Sequence, residues 1–176
     1  KGLLKTKTDG AYAYLRKAAD LGSADAQFAI SKIILSPTDG KELQFRLQLA
    51  DQFRSCAAQQ GHGEASQFYA MFLQDKERFA EAVRTLQHGA RHGDTQSALR
   101  LYNAFAFDIE KNPKGTNAYD LRFLNVKKDP EREKRYLEIM SYLSGNDYLY
   151  PTVPDLDQFS FSMLTAMLKK HHDNRQ

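Results

Sequence analysis

The stretch AADLGSADAQFAI, residues 18–30, places its smallest side chains where a helical core would normally carry its largest. Two alanines precede Gly22, and Ala26 follows it before bulkier groups return. The stretch AAQQGHGEASQFYAMFL, residues 57–73, repeats this arrangement around Gly61. The recurrence indicates a structural period rather than an active site.

Aligning the chain on Gly22, Gly61 and Gly93 shows the period in full. Small residues recur three and four positions before each glycine and four positions after it: Ala18, Ala19 and Ala26; Ala57, Ala58 and Ala65; Gly89, Ala90 and Ser97. Large apolar residues stand eight positions after it, namely Ile30, Tyr69 and Leu101. The glycines are 39 and 32 residues apart. Periods in the thirties without a strand pattern predict helix-turn-helix repeats.

Each repeat is expected to be one helix, a short turn at the glycine, and a second helix. Glycine takes the positive φ that ends the first helix without steric cost. The small residues allow the two antiparallel helices to approach closely. The aromatic rings eight positions before the first two glycines, Tyr14 and Phe53, are expected to fill the wider space away from the turn. Cys56 is interpreted as a small core residue rather than a catalytic thiolate.

The coarse pattern predicts helices at 9–20, 24–35, 40–59, 63–74, 77–91 and 95–108. A further helix opens with Asp129 as cap and Pro130 in its first turn, followed by an apolar stripe at helical spacing. That stripe consists of Tyr136, Ile139, Met140 and Leu143. An extended segment is predicted at 147–157 and a last helix at 159–170. The organisation predicted is one structural domain, with a repeat array at 1–117 and a capping segment at 118–176 packed on its end.

The composition excludes several function classes. The 176 residues are the size of one domain, and 41% of them are hydrophobic. A net charge of +3 with interleaved acids does not form the clustered basic patch of a nucleic-acid protein. The densest basic run, 127–135, contains three acids and is interpreted as a solvated helix start. The single cysteine excludes an intrachain disulfide. The chain contains no apolar run of about 18 residues, so no membrane span is predicted.

Two pairs of polar residues were weighed as sites of chemistry. His88 and His92 have a spacing that could hold a metal, but they lack an HExxH pattern, and two partly exposed histidines at a helix end are the favoured interpretation. Asp155 and Asp157 could act as paired carboxylates, but no nucleophile or base accompanies them, so capping or loop structure is favoured. No phosphate loop or nucleophile elbow is present. We therefore predict no catalytic residues, no metal and no cofactor.

The repeats resemble the Sel-like repeat, a relative of the tetratricopeptide repeat, over residues 9–108. The first two copies carry Tyr14, Lys17, Ala18, Ala19, Gly22 and Ala26, and Phe53, Ala57, Ala58, Gly61 and Ala65. The third keeps Ala90, Gly93 and Leu101, and the Leu-Gly ending of the family is missing from all three. The resemblance implies an all-α fold, a right-handed α/α solenoid of about three repeats with a C-terminal helical cap.

Residues 129–157 are similar to the end of a bacterial group of Sel-like proteins that accompany type VI secretion phospholipase toxins. The matching residues are Asp129, Pro130, Glu131, Arg132, Tyr148, Leu149, Pro151, Val153, Pro154, Asp155, Leu156 and Asp157. After Asp157 the chain departs from the group, whose members continue with a proline-rich tail. The resemblance implies a non-catalytic immunity protein that binds its toxin in the periplasm. It leaves open whether the protein carries a lipid anchor.

The function expected is neutralisation of a secreted toxin, of the phospholipase type, by covering its active site or another functional surface. The partner-binding residues expected are Arg16, Arg122, Tyr148, Tyr150, Asp155 and Asp157. Two alternatives stay open: an adaptor of the bacterial envelope, and a hydrolase that uses the Asp155/Asp157 or His88/His92 pair. No nucleic-acid partner is expected.

Overall fold

The computed structural model describes residues 9–36, 42–111, 120, 122–146 and 152–153. Seven α-helices lie in these residues: α1 (Asp9–Asp20), α2 (Ala24–Ile34), α3 (Leu43–Gln59), α4 (Gly63–Asp75), α5 (Phe79–Arg91), α6 (Thr95–Ala106) and α7 (Pro130–Gly145). The described part of the chain forms no β-strand, so the predicted all-α class is confirmed. Within the same ranges, no helix has both the length and the apolar character that crossing a bilayer demands.

The helix bounds follow the sequence prediction within three residues. The largest difference is at α3, which begins at Leu43 rather than at residue 40, because Glu42 has a left-handed φ of 51° that no α-helix accepts. Asp129 caps α7 by accepting from the amides of Glu131 and Arg132, and Pro130 occupies the first turn as predicted. The helix predicted at 159–170 lies outside the described residues.

The three repeat glycines end their helices in the left-handed conformation, as predicted. Their φ angles are 92° at Gly22, 87° at Gly61 and 85° at Gly93. At each turn the glycine amide bonds the carbonyl three residues back, and the next amide bonds the carbonyl five residues back, at 3.0–3.2 Å. This is the Schellman arrangement, which satisfies carbonyls that a helix end leaves open. The turn after α4 has the same two hydrogen bonds, from the amide of Glu77 to the carbonyl of Gln74 and from the amide of Arg78 to the carbonyl of Leu73. Glu77 has a φ of 57° there, although it is not glycine.

The residue after each repeat glycine caps the second helix of its pair. Ser23, His62 and Asp94 accept from the amides of Ala26, Ala65 and Ser97, three residues ahead in each case. Three different acceptors, a hydroxyl, an imidazole nitrogen and a carboxylate, therefore perform one task at equivalent positions. Burial raises the pKa of the Asp94 carboxyl, and the hydrogen bonds from Ser97 oppose that rise.

Most of the small residues around the three glycines are buried, as expected for positions between packed helices. Ala19, Ala58 and Ala90 are buried before their glycines, and Ala26, Ala65 and Ser97 are buried after them. A methyl group on Gly89 would run into the side chains of Ser97 and Ser66. Here α5 touches α4 and α6 with no room for a single added carbon.

Successive turns also lie against one another. A Cβ atom on Gly61 would meet the His92 ring at 2.8 Å, and one on Gly63 would meet Asp94 Cβ at 2.8 Å. His62 Nε2 lies 3.5 Å from an oxygen of Asp25, which follows the first turn. The three turns therefore contact each other in chain order.

Two side chains differ from their predicted placement. Tyr14, expected to fill space between the helices, is 72% exposed, because the buried residues of α1 are the small Ala11 and Ala19 and the ring lies off that face. Cys56, expected in the core, is an exposed free thiol. It precedes the buried Ala57 by one position, which is about 100° around the helix.

Each helix packs on the next one in the chain, and α3 with α5 and α4 with α6 are also in contact. The main hydrophobic core joins α4, α5 and α6 to α7 and to two residues outside the helices, Leu124 and Val153. A smaller core at the other end of the described array contains Phe28, Ala57, Ala58 and Ala65. The C-terminal region thus shares its core with the third repeat.

Opposite substitutions at two equivalent turns test the importance of the positive φ. A Cβ on Gly22 has no closer neighbour than Gln60 Oε1 at 3.9 Å, so Gly22→Ala introduces backbone strain alone, and we expect a loss of about 1–2 kcal/mol in the free energy of unfolding. Glu77→Gly relieves the same strain, and we expect a gain of up to about 1 kcal/mol. Urea unfolding curves measure both changes. Glu77→Ala is the control. If it raised the free energy of unfolding as much as Glu77→Gly, the gain would come from removing the charge and not from relieving the positive φ.

Candidate functional site

The structure describes two of the six residues predicted to bind a partner. Arg16 lies on α1, and Arg122 lies on the irregular connection between α6 and α7. Tyr148, Tyr150, Asp155 and Asp157 lie outside the described residues. The two arginines are not brought together by any contact, because Arg16 belongs to the first described helix and Arg122 packs on residues that follow α6.

Arg16 is an ordinary surface cation. Its guanidinium is 82% exposed and lies 3.9 Å from Asp20, one helical turn away. Such exposed pairs hold the side chain weakly. The geometry gives Arg16 no feature that other surface arginines lack.

Arg122 is exposed but held rigidly. Its Nε and Nη2 donate to the two carboxylate oxygens of Asp120, at 2.9 and 2.7 Å, and its backbone amide donates to the same carboxylate at 2.9 Å. The guanidinium also lies 5.0 Å from the centre of the Phe107 ring. The hydrogen bond from Arg122 lowers the pKa of Asp120, and the carboxylate raises the pKa of Arg122. The result is a fixed cation on the surface, which loses little entropy when it meets a partner.

Gln74, at the end of α4, fixes the connection that carries Arg122. Its side-chain amide donates to the carbonyls of Asp120 and Phe123, at 2.8 and 3.0 Å. Phe123 is buried and meets the ring of Phe79 edge-on, with 5.2 Å between centres. The connection between α6 and α7 is therefore anchored on α4 and α5.

Gln74 also accepts a hydrogen bond from Nη2 of Arg100 on α6. A buried polar pair therefore contacts the segment between α6 and α7 that contains Asp120, Arg122 and Phe123, which we call the Arg122 connection. Gln74 is 1% exposed and Arg100 is 6% exposed. Burial lowers the pKa of Arg100, and the charge of Asp75 partly restores it. The sequence pattern does not indicate this pair, because a glutamine and an arginine 26 residues apart carry no local signal.

The basic run at 127–135 is less solvated than predicted. Arg135 is buried and donates to Glu131 at 2.5 Å, one turn earlier. Arg132 lies over the ring of Phe105 at 5.1 Å, and the same ring stacks on the buried Tyr136. The helix start is thus partly a packing surface. The predicted stripe of α7 is confirmed, with Tyr136, Ile139 and Leu143 buried and Met140 partly buried.

The extended segment predicted at 147–157 is described at two residues. Val153 is 3% exposed and belongs to the main core, and its amide donates to the carbonyl of Arg91, the last residue of α5, at 2.9 Å. Thr152 beside it is exposed. The chain therefore returns after α7 to the end of α5, which lies next to the third turn.

The rings of His88 and His92 lie with 4.3 Å between their centres and are tilted by 38° to each other, and His92 Nδ1 lies 2.9 Å from the carbonyl of His88. A metal site needs more ligands than this pair, and no group of three or more His, Cys, Asp or Glu suited to a metal occurs in the part of the chain that the structure describes. Burial lowers the pKa of His88, and the charges of His92 and Arg91 lower it further. His88 therefore favours its neutral form.

The Val153 anchor can be tested by shortening its side chain. Val153→Ala removes two buried methyl groups, and we expect a loss of about 1–2 kcal/mol in the free energy of unfolding. We also expect faster proteolytic cleavage near residue 153, because the segment loses part of its contact with the core. Thr152→Ala is the matched control, since Thr152 is exposed, and it should leave both measurements unchanged. Equal cleavage of the two variants would contradict the anchor.

The His88 environment predicts a pH dependence of stability. Because the folded protein disfavours the charged imidazole, the unfolded chain binds more protons at acidic pH. The contribution of His88 to stability is therefore complete above the unfolded pKa of about 6.5 and declines as the pH falls below it. His88→Gln should flatten this part of the profile in unfolding curves at pH 5 to 8. Thr85→Gln, one turn earlier on the same helix, is the control, and a profile unchanged by His88→Gln would contradict the assignment.

Comparison with known protein families finds a match only in the C-terminal part of the chain. Residues 97–162 match a family model described as "Domain of unknown function (DUF6396)". The match begins at Ser97 in α6 and takes in Arg100, the Arg122 connection, α7 and Val153. No curated protein matches the chain. No solved structure matches it either.

Proposed function

We propose that this protein is a non-catalytic immunity protein, which neutralises a secreted bacterial toxin by binding it. The toxin class expected is the type VI secretion phospholipase, and the compartment is the periplasm. This proposal rests on the resemblance of residues 129–157 to such proteins, together with the surface built around Arg122. It assigns the protein no catalytic step of its own.

The helix pairs are proposed to form a right-handed solenoid of three Sel-like repeats, residues 1–117, closed by a capping segment at 118–176. Three features support this arrangement. Each pair has the same Schellman turn and the same capping position, successive turns touch in chain order, and each helix packs on its neighbour in the chain. Arrays whose repeats contact only their neighbours present long surfaces for binding other proteins.

The observation that carries the proposal is the fixed arginine at the end of the array. Arg122 is exposed, yet it is held by Asp120, by the Phe107 ring and, through the backbone, by Gln74. Arginine is one of the residue types enriched at the energetic centres of protein interfaces. The segment anchored at Val153 belongs to the same region of the chain as Tyr148, Tyr150, Asp155 and Asp157, and we propose that these four residues complete the contact.

The mechanism proposed is occlusion. An immunity protein that covers the mouth of an active site need not alter the toxin's chemistry, because substrate access is lost on binding. Rigid side chains favour slow dissociation, which a protective protein requires, since most differences in affinity between related complexes lie in the dissociation rate. Charged residues of the opposite sign on the toxin would speed association.

Co-expression tests the role directly. The toxin encoded by the neighbouring reading frame is expressed in the bacterial periplasm with and without this protein. We expect growth to be rescued only by co-expression, and a complex to elute as one peak in size-exclusion chromatography. Toxicity that persists together with separate elution would overturn the proposal. A complex without rescue would favour the envelope adaptor.

Arg122 provides a sharper test within the complex. We expect Arg122→Ala to weaken toxin binding by about tenfold or more, measured by calorimetry. Its effect on stability should be small, because the side chain is 57% exposed. Arg78→Ala is the matched control: Arg78 is also exposed and is paired with Glu81 through the same two nitrogens. Equal losses from both variants would show a nonspecific charge effect and contradict the assignment.

A further inference from the structure

Arg100 is buried with most of its hydrogen-bonding capacity unused. Only Nη2 has a partner, the side-chain oxygen of Gln74. Nε and Nη1 are buried and have no hydrogen-bond partner among the residues that the structure describes. A guanidinium carries five N–H donors, so three of them, one on Nε and two on Nη1, remain unsatisfied.

Two other arginines of the described part of the chain, the half-buried Arg54 and the buried Arg135, pair with carboxylates. Arg54 donates to the carboxylate of Asp51 at 3.0 Å, and Arg135 donates to that of Glu131 at 2.5 Å. For Arg100, no carboxylate of the described residues lies at bonding distance, and Asp75 acts on it only through its charge. Leaving a buried charge unpaired costs about 3–5 kcal/mol, which is a large fraction of the stability of a domain.

The position of Arg100 is fixed, so the unused donors cannot turn away to find partners. Gln74 accepts from Arg100 with its oxygen and donates from its nitrogen to the carbonyls of Asp120 and Phe123. This uses the whole amide and holds it in one orientation. The guanidinium is therefore pre-organised, with its free donors in a region of low dielectric constant where a charged hydrogen bond is strong.

We propose that Arg100 is the centre of a binding site for a single oxyanion, a carboxylate or phosphate group, which accepts hydrogen bonds from Nε or Nη1. The residue is 6% exposed, so the site suits one small anionic group rather than an extended ligand. The shared chemistry is a charge-assisted hydrogen bond between guanidinium and oxyanion. The group comes from one of two sources, a free phosphate or an acidic side chain of a bound protein.

Thermal unfolding of the full chain tests the site. Wild-type protein and Arg100→Met are compared in chloride at fixed ionic strength, with and without 1–20 mM inorganic phosphate, as a ~20-fold titration range. We expect the wild-type midpoint to rise by about 2–4 °C and the Arg100→Met midpoint to stay constant. Without phosphate, Arg100→Met should be at least as stable as wild type, because it removes an unpaired buried charge.

A second ligand distinguishes the two sources. An acetylated and amidated tripeptide, Gly-Glu-Gly, supplies one side-chain carboxylate, and Gly-Gln-Gly is its neutral control. A midpoint shift with phosphate alone identifies a free phosphate, and a shift with the glutamate peptide but not the glutamine peptide identifies an acidic side chain. No shift of the wild-type midpoint with either ligand overturns the proposal. Equal shifts in wild type and Arg100→Met overturn it as well, because they reflect general salt effects.

A measurement on the wild-type protein covers the case in which Arg100→Met fails to fold. The Nε–H signal of Arg100 is identified in a proton–nitrogen NMR spectrum by its loss in Arg100→Lys. We expect this signal to move on addition of the effective ligand, while the Nε–H signals of Arg78 and Arg122, which already donate to carboxylates, stay in place. An Arg100 signal that does not move overturns the site. The test needs no toxin, so its failure and the failure of the proposed function are separate results.

Discussion

The close approach of neighbouring helices is the constraint on which the rest of the structure depends. At Gly89 there is no space for one added carbon between α5 and the side chains of Ser66 and Ser97. Such an approach requires small residues at fixed distances from each turn, and it also requires the turn to be short. The left-handed glycine satisfies the second requirement, and the alanines around it satisfy the first. Caps of three chemical types can then serve equivalent positions, because the backbone has already set the geometry.

Much of the repeat region could be predicted from the sequence because its information is local. The glycine, the small residues and the cap lie within a few positions of each other, so one copy of the pattern identifies two helices and the turn between them. The wrong predictions concern side chains whose burial depends on which neighbouring helices cover them. The expectation for Tyr14 was wrong because the sequence pattern does not say which face of α1 is covered by other helices. The expectation for Cys56 was wrong because Cys56 lies one position away from the buried Ala57 and so on a different side of the helix.

The candidate site is mostly non-local, so the sequence could indicate it only in part. Arg122 was identified, but the pattern contained neither the carboxylate nor the ring that fixes it. Gln74 was not identified at all, since its partners lie 26, 46 and 49 residues away. A buried amide with three distant partners has no periodic signal. The region matched by the family model, 97–162, includes all three partners, Arg100, Asp120 and Phe123, and excludes Gln74 itself.

The return of Val153 to the end of α5 has a consequence for the order in which the protein matures. The hydrogen bond from Val153 to Arg91 and the contacts of Leu124 complete a core that begins in α4, so that core stays open until synthesis has passed residue 153. Contacts so distant in sequence form late, after the local turns. During that interval the part of the core that α7, Leu124 and Val153 cover is exposed and prone to association with other chains. A nascent chain of this protein therefore keeps part of its main core incomplete until Val153 has been added.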